Sequence, residues 1–238
     1  MTDEFAMGQW MRGRIYERRS DLSPDGKYVI YFAMNGKWDS ETRGAWTCIS
    51  RVPYLKGVTV LPKGDCWHGG GLFTGNKTYW LNDGCGHSVL VDSTELTRHP
   101  GYTPPHSYGG ECPGVYYLRL LRDGWSWGER SRKAVWEDMD VFEKGLPDGW
   151  ILRKFAHTEI GAPPGKGCYW DEHDLEHAES ETRIRCRSWE WAELVDGRLV
   201  WASDGQLRAA RLGPSGIYDE KLLHDFNDMK FEAIAAPY

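Results

Sequence analysis

The chain has 238 residues and a formal net charge of -6, with 29 basic side chains against 35 acidic ones. That balance argues against a nucleic-acid partner, which needs a basic surface to displace counterions from phosphate. A hydrophobic fraction of 40% is enough for a core, while the longest apolar run, Tyr28 to Met34, is far too short to span a membrane.

The opening Met1-Thr2-Asp3-Glu4-Phe5 has neither the basic residues nor the apolar stretch of a signal peptide, so the expected location is cytoplasmic. The 6 cysteines are scattered, with no C-x-x-C pair, which fits thiols in a reducing compartment better than a disulfide framework. Along the chain, short runs rich in Val, Ile, Tyr, Phe and Trp alternate with Gly, Pro, Asp and Asn clusters, and helical periodicity is nearly absent. Gly13 to Arg18 predicts a short strand around Ile15 and Tyr16. Asp25-Gly26 is a turn that leads into a strand from Lys27 to Ala33, followed by a polar loop insertion at 38–44. A hairpin centred on Gly75-Asn76 pairs Leu72 with Tyr79 and Phe73 with Thr78. Residues 99–113 are too rich in proline for a central strand and form a second insertion. Val115 to Leu121 reads as another strand, turning at Asp123-Gly124 toward Trp125 and Trp127. Asp148-Gly149 opens a further unit, and a third insertion covers 160–181, where Asp171 to Glu181 fits a solvated turn or a short helix. Asp196-Gly197 and Asp204-Gly205 divide the next segment into strands at about 189–195, 198–203 and 206–212, a three-stranded meander. Phe231 to Ala236 is apolar enough for a last strand, expected to share a sheet with the first one and close the fold.

Glycines 26, 71, 114, 149 and 197 begin related turn-and-strand units at steps of 45, 43, 35 and 48 residues. A period of ~40–50 residues predicts a radial repeat, so the expected fold is all-β: one β-propeller domain over residues 1–238, five-bladed, with a six-bladed ring or a β-sandwich as alternatives. Leu22-Ser23-Pro24-Asp25-Gly26-Lys27-Tyr28-Val29-Ile30-Tyr31 resembles the S-P-D-G-(K/R)-x-(I/V)-x-(Y/F) signature of TolB-type, WD40-like propeller repeats. Asp196-Gly197-Arg198-Leu199-Val200-Trp201 is similar but lacks the Ser-Pro. The resemblance implies a blade whose D-G turn leads into a buried strand, and it implies no functional residue.

Cys66-Trp67-His68 and Cys85-Gly86-His87 form a C-x-H…C-x-H pattern. Residues i and i+2 of a strand share a face, and a ladder about Gly75-Asn76 with partner numbers summing to 151 would set Cys66 opposite Cys85. Cys66, His68, Cys85 and His87 are therefore the candidate zinc ligands. Gly69, Gly70, Gly71, Gly84 and Gly86 interrupt such a ladder, and packed thiols with loop histidines are the preferred reading, with no cofactor. His173 and His177 stand among Asp171, Glu172, Asp174 and Glu176 without forming an H-E-x-x-H, and read as part of an acidic solvated loop. Glu137, Asp138 and Asp140, and separately Asp225 and Asp228, raise the two-carboxylate chemistry of glycoside hydrolysis, although acidic clusters at turns are ordinary. No G-x-S-x-G, P-loop or dinucleotide fingerprint is present.

Trp80, Trp189, Trp191 and Trp201 fall on strands and are expected in the core. Trp38, Trp67, Trp125 and Trp127 lie near turns and are the candidate ligand-binding aromatics. Arg183, Arg185 and Arg187 alternate on one strand face, toward solvent or toward an anionic or protein contact. With no reactive constellation prominent, the expected function is a non-catalytic propeller-type binding or scaffold module. It would be a protein-interaction subunit of a multi-component bacterial system, with a protein partner, no nucleic acid and no membrane. The alternative is a carbohydrate-binding or glycoside-cleaving propeller with a glycan ligand.

Overall fold

Strand Tyr28–Met34, the most apolar of the chain, is buried on both faces and organises the N-terminal half. The computed structural model describes residues 3–134 and 137–238, excepting the side chains of 130–134 and 137. Two compact units result: Ala6–Asp123 with Phe231–Tyr238, and Gly124–Lys230 with the residues up to Phe5.

In the N-terminal unit, β1 (Arg14–Leu22), β2 (Tyr28–Met34), β3 (Ala45–Arg51) and β4 (Gly57–Pro62) form an antiparallel meander in chain order. The turn between β1 and β2 follows from its residues. Asp25 accepts hydrogen bonds from the Ser23 hydroxyl at 2.7 Å and the Lys27 amide at 3.2 Å, and Gly26 supplies the left-handed φ of 68°. One face of the sheet packs Tyr28, Ile30, Ile49 and Leu61 against Phe73, Tyr79, Leu81 and Leu96. The other face buries Tyr31, Ala33, Trp46 and Cys48 under Met11, Ile15 and Leu55. A smaller sheet pairs β5 (Gly71–Phe73) with β6 (Thr78–Leu81), and β7 (Thr97–Arg98) joins it in parallel. Helix α1 (Pro113–Arg122) sets Val115 and Leu118 on Leu72.

In the C-terminal unit, β8 (Ser126–Ala134), β9 (Glu137–Gly145), β10 (Trp150–Glu159), β11 (Tyr169–His177) and β12 (Arg183–Cys186) make a five-stranded antiparallel meander. A four-stranded meander follows: β13 (Trp189–Val195), β14 (Arg198–Ser203), β15 (Gln206–Gly213) and β16 (Gly216–Asp225). Asp3 pairs with Arg198 at 2.7 Å, and Phe5 stacks on His224 with ring centroids 3.9 Å apart, which fixes the start of the chain on this unit.

The all-β expectation holds, and the meander read from the two Asp-Gly turns is present and extended by β16. Other expectations need correction. Val115–Leu121 is helical, because Pro113 starts a turn in which Val115 and Leu118, three residues apart, reach the same hydrophobic cluster. Gly114 therefore lies inside a helix, and the five glycines do not mark one repeat. Gly26 and Gly197 occupy the first hairpin of their four-stranded sheets, Gly149 lies between β9 and β10, and Gly71 begins β5. The pairing gives four separate sheets among the described residues. Phe231 to Ala236 is not a strand, and among the described residues β1 pairs only with β2. The last segment instead docks through side chains. The Tyr238 hydroxyl accepts the Arg51 amide proton at 3.0 Å and donates to the Lys56 carbonyl at 2.9 Å, and Phe231 meets Trp10 edge-on at 6.2 Å. Among the described residues no helix is long and apolar enough to cross a membrane.

Candidate functional site

The Cys-His quartet does not assemble as the sequence pattern suggests. The hairpin register is Gly71↔Leu81, Leu72↔Trp80 and Phe73↔Tyr79, one residue from the expected pairing, so it does not set Cys66 opposite Cys85. The loop that carries Cys66 and His68 is held from below by Arg19, a buried side chain of β1. Its Nη1 donates to the carbonyls of Cys66 at 2.7 Å and His68 at 2.5 Å, and its Nε reaches the Cys112 sulfur at 3.4 Å. The guanidinium lies 4.9 Å from the Phe32 ring and 5.3 Å from the Tyr16 ring. His68 has a left-handed φ of 57° and packs its ring against Gly84 and Gly110, where a Cβ would come within 2.1 and 2.5 Å of ring atoms. Cys66 and Cys85 are exposed. Among the described residues no three His, Cys, Asp or Glu side chains are grouped to hold a metal ion.

His87 is buried within a relay of three groups. Its Nδ1 is 2.6 Å from Asp83 Oδ1, its Nε2 is 3.0 Å from Thr47 Oγ1, and Arg98 meets the other Asp83 oxygen at 2.8 Å. Burial holds the imidazole below its ordinary pKa. Burial pushes the Asp83 carboxyl up, but the hydrogen bonds from His87 and Arg98 outweigh it and leave the group below the usual range. Hydroxyl, imidazole and carboxylate stand in the order of a nucleophile triad. Thr47 is fully buried, however, and its oxygen accepts the Gly70 amide proton at 2.8 Å. The relay ties β3 to two loops and offers no hydroxyl to a substrate.

The four candidate tryptophans divide. Trp38 is 52% exposed and Trp67 51% exposed, so their rings reach solvent. Trp125 is a core residue: its Nε1 donates to Glu193 at 3.1 Å, and Lys144 and Lys154 lie 5.7 and 4.9 Å from its ring. Trp127 is half-buried and stacks on Phe142 at 5.8 Å. Trp191, expected in the core, is exposed. Of the carboxylates, the Glu137 side chain lies outside the described residues, Asp140 is buried and Asp138 half-buried on β9. Asp225 caps a turn by accepting the Asn227 amide proton at 2.9 Å, the first reason its pKa is lowered, and a Gln206 amide proton at 2.8 Å.

The segment read as an acidic loop is strand β11, and its charges answer the arginines of β12 and its extension. Asp174, with no exposed side-chain surface, accepts from Arg183 Nε at 2.8 Å and Arg187 Nη2 at 3.1 Å. Arg183 also meets Glu176 at 3.2 Å, Arg187 meets Glu172 at 2.8 Å, and Arg153 bridges Glu143 at 2.8 Å to Glu176 at 3.0 Å. Arg185 differs. Among the described residues it has no carboxylate partner, and it lines an open groove of about 350 Å³ beside β14–β16.

Within that groove Arg208 is committed to Glu220 at 2.5 Å and to the Gln206 side-chain oxygen at 2.6 Å. The Ser203 hydroxyl donates to Asp204 Oδ2 at 2.7 Å, and the Ser188 oxygen lies 3.0 Å from it. Trp189 and Trp201, stacked at 4.6 Å, form a wall. Cys186 belongs to the wall as well, its thiol pushed up to about 12, first by burial and then by the Asp174 carboxylate. His173, its direct neighbour across the ladder, donates Nδ1–H to the Trp189 carbonyl at 2.8 Å. Burial, aided by the Lys154 charge, lowers it to about 3. Thiol and imidazole are both neutral at neutral pH, so this wall holds no thiolate nucleophile. The arrangement is chemically equipped to bind.

Sequence reasoning singled out Arg183, Arg185 and Arg187 together and missed the groove. Only the pairing of β11 with β12 shows that two of the three are occupied. No family model, curated protein or solved structure matches the chain.

Proposed function

We propose that this protein is a non-catalytic binding module, the protein-interaction subunit of a multi-component bacterial assembly, and that the groove beside β14–β16 is its binding site. The observation that carries the reading is Arg185: a guanidinium without an ion-pair partner among the described residues, lining a groove whose size falls in the ~300–1,000 Å³ range of ligand sites. Around it, Arg183, Arg187 and Arg208 are already held by carboxylates, so among the described groove residues Arg185 is the cation left to meet a partner. The reading places the protein in the reducing cytoplasm, supported by its free cysteines. It treats the four-stranded meanders as propeller-type blades, on the strength of the Leu22–Tyr31 resemblance and the D-G turns at Gly26 and Gly197.

The test is a photo-crosslinker at Ser188 in the intact protein, identification of the captured chain, and reconstitution from purified components. Arg185→Glu should weaken the reconstituted complex at least tenfold. Unchanged affinity would remove the groove as the site, and failure of every captured chain to reconstitute would remove the binding-module reading. The glycan reading keeps one observation, the exposed rings of Trp38 and Trp67, on which a sugar face can stack. A glycan array with Trp38→Ala and Trp67→Ala decides it.

A further inference from the structure

The groove's charges also indicate what kind of group fills it. Arg208 and Glu220 neutralise each other at 2.5 Å. That leaves one cation, Arg185, and one anion, Asp204, neither with an oppositely charged partner among the described residues. Asp204 is held in place rather than neutralised. It receives the Ser203 proton at 2.7 Å, and its backbone carbonyl accepts from the Asn227 amide at 3.0 Å. The Ser203 hydroxyl also lies 3.0 Å from the Ser188 oxygen, a second groove-lining hydroxyl. Arg185 thus brings a planar fork of donors to the groove, and Asp204 brings acceptors and a negative charge.

We propose that the groove binds a zwitterionic group, its carboxylate on Arg185 and its ammonium on Asp204. The chemistry is that of an unblocked amino acid or short peptide. The same pair of charges on adjacent side chains of a partner protein would satisfy it equally. This rests on the binding-module reading above and names the ligand class of that same site. A purely anionic ligand would face Asp204, and a purely cationic one would face Arg185, each at a cost in unlike pairing.

The experiment uses the full chain, 15N-labelled, titrated with four probes: the dipeptide Ala-Ala, its N-acetyl form, its C-terminal amide, and a blocked Glu-Lys dipeptide. The first three ask whether both charges are needed, and the fourth asks whether side chains can supply them. Ala-Ala or blocked Glu-Lys should shift groove resonances, including the Trp189 and Trp201 indole N–H signals. The acetyl and amide forms should each bind about tenfold more weakly, as expected when one charge-assisted hydrogen bond is lost. Arg185→Gln should stop distinguishing acid from amide, and Asp204→Asn should stop distinguishing amine from acetyl. Both replacements suit their places, since Arg185 is exposed on a strand and Asn tolerates the left-handed φ of 54° at Asp204. Equal binding of all forms, or no shift by either zwitterionic probe at 10 mM (about the weakest affinity worth the name), overturns the proposal. If the probes fail while Arg185→Glu still disrupts a reconstituted complex, the ligand class is wrong and the binding-module reading stands. If both fail, both fall.

Discussion

Asp21 and Arg122 provide the sharpest energetic test, because the pair decides whether α1 is part of the N-terminal unit's core. Asp21, the last residue but one of β1, has its side chain 3% exposed, and both oxygens are engaged by Arg122, at 2.6 and 2.8 Å. One oxygen also accepts the Phe73 amide proton at 2.7 Å. Arg122 lies in the last turn of α1, where a cation meets the negative end of the helix, and its guanidinium is 38% exposed. Asp21→Ala removes a buried bidentate pair and strands the Phe73 amide. Breaking a buried pair costs roughly 3–5 kcal/mol, but the exposed side of Arg122 and its neighbour Asp123 soften the loss. Discounted for that exposure, the pair contributes about 1–3 kcal/mol, and the orphaned amide adds ~1–3 kcal/mol, so about 2–6 kcal/mol overall is expected. Asp21→Asn, which still accepts from Phe73, should cost about half as much. A double-mutant cycle with Arg122→Met should give a coupling of ~1–3 kcal/mol. Urea unfolding supplies the free energies, and amide exchange at Phe73 and along α1 shows where the loss falls, which matters if the two units unfold separately. A cost below ~0.5 kcal/mol for Asp21→Ala, or strict additivity in the cycle, would refute the reasoning.

Three further outcomes follow from the same contacts. His173, lowered to about 3 in the fold, stays neutral while an unfolded histidine protonates near 6.5, so stability is full above ~6.5 and is lost as pH falls toward 3, by at most ~1.4 kcal/mol per unit. His173→Gln should flatten that part of the stability–pH profile, leaving a residue from His87, which is shifted the same way; an unchanged slope contradicts the assignment. Tyr238→Phe deletes the hydroxyl that binds the Arg51 amide and the Lys56 carbonyl, and should cost ~1–2 kcal/mol in the N-terminal unit, whereas no change in melting temperature means the terminal segment is not docked. Protein purified without chelator should hold well under one equivalent of zinc, since both His87 nitrogens are engaged; a full equivalent that disappears in Cys66→Ser and Cys85→Ser would reinstate the quartet.

Sequence was most informative where one local signal sufficed. Asp196-Gly197 and Asp204-Gly205 each demand left-handed backbone, with aspartates at φ 48° and 54°, and so fixed both turns and the strands between them. It misled where burial outweighed composition. Val115 to Leu121 carries two tyrosines and a valine, the residues of a strand, yet it is a helix because the cluster at Leu72 rewards a spacing of three. Asp171 to His177 reads as a solvated loop when each of its charges is taken as exposed. In the fold the same charges are cancelled across the ladder by Arg153, Arg183 and Arg187, so the strand can carry them. The groove was invisible for the same reason: which arginine remains without a partner depends on register, and register is not local.

Two sets of groups in this protein have the elements of a reactive site, and burial disposes of both in different ways. Thr47, His87 and Asp83 are correctly ordered and correctly spaced, but the Gly70 amide occupies the hydroxyl that would attack. Cys186 and His173 are ladder neighbours, but low polarity around them raises one pKa and lowers the other, so the proton stays on sulfur. Reactivity needs a charged nucleophile with room in front of it, and each set lacks one of these conditions. Arg185 and Asp204 combine formal charge and solvent access with no counter-ion among the described residues. Charges left in that state on the walls of one groove gain most from a ligand that brings the two opposite charges together.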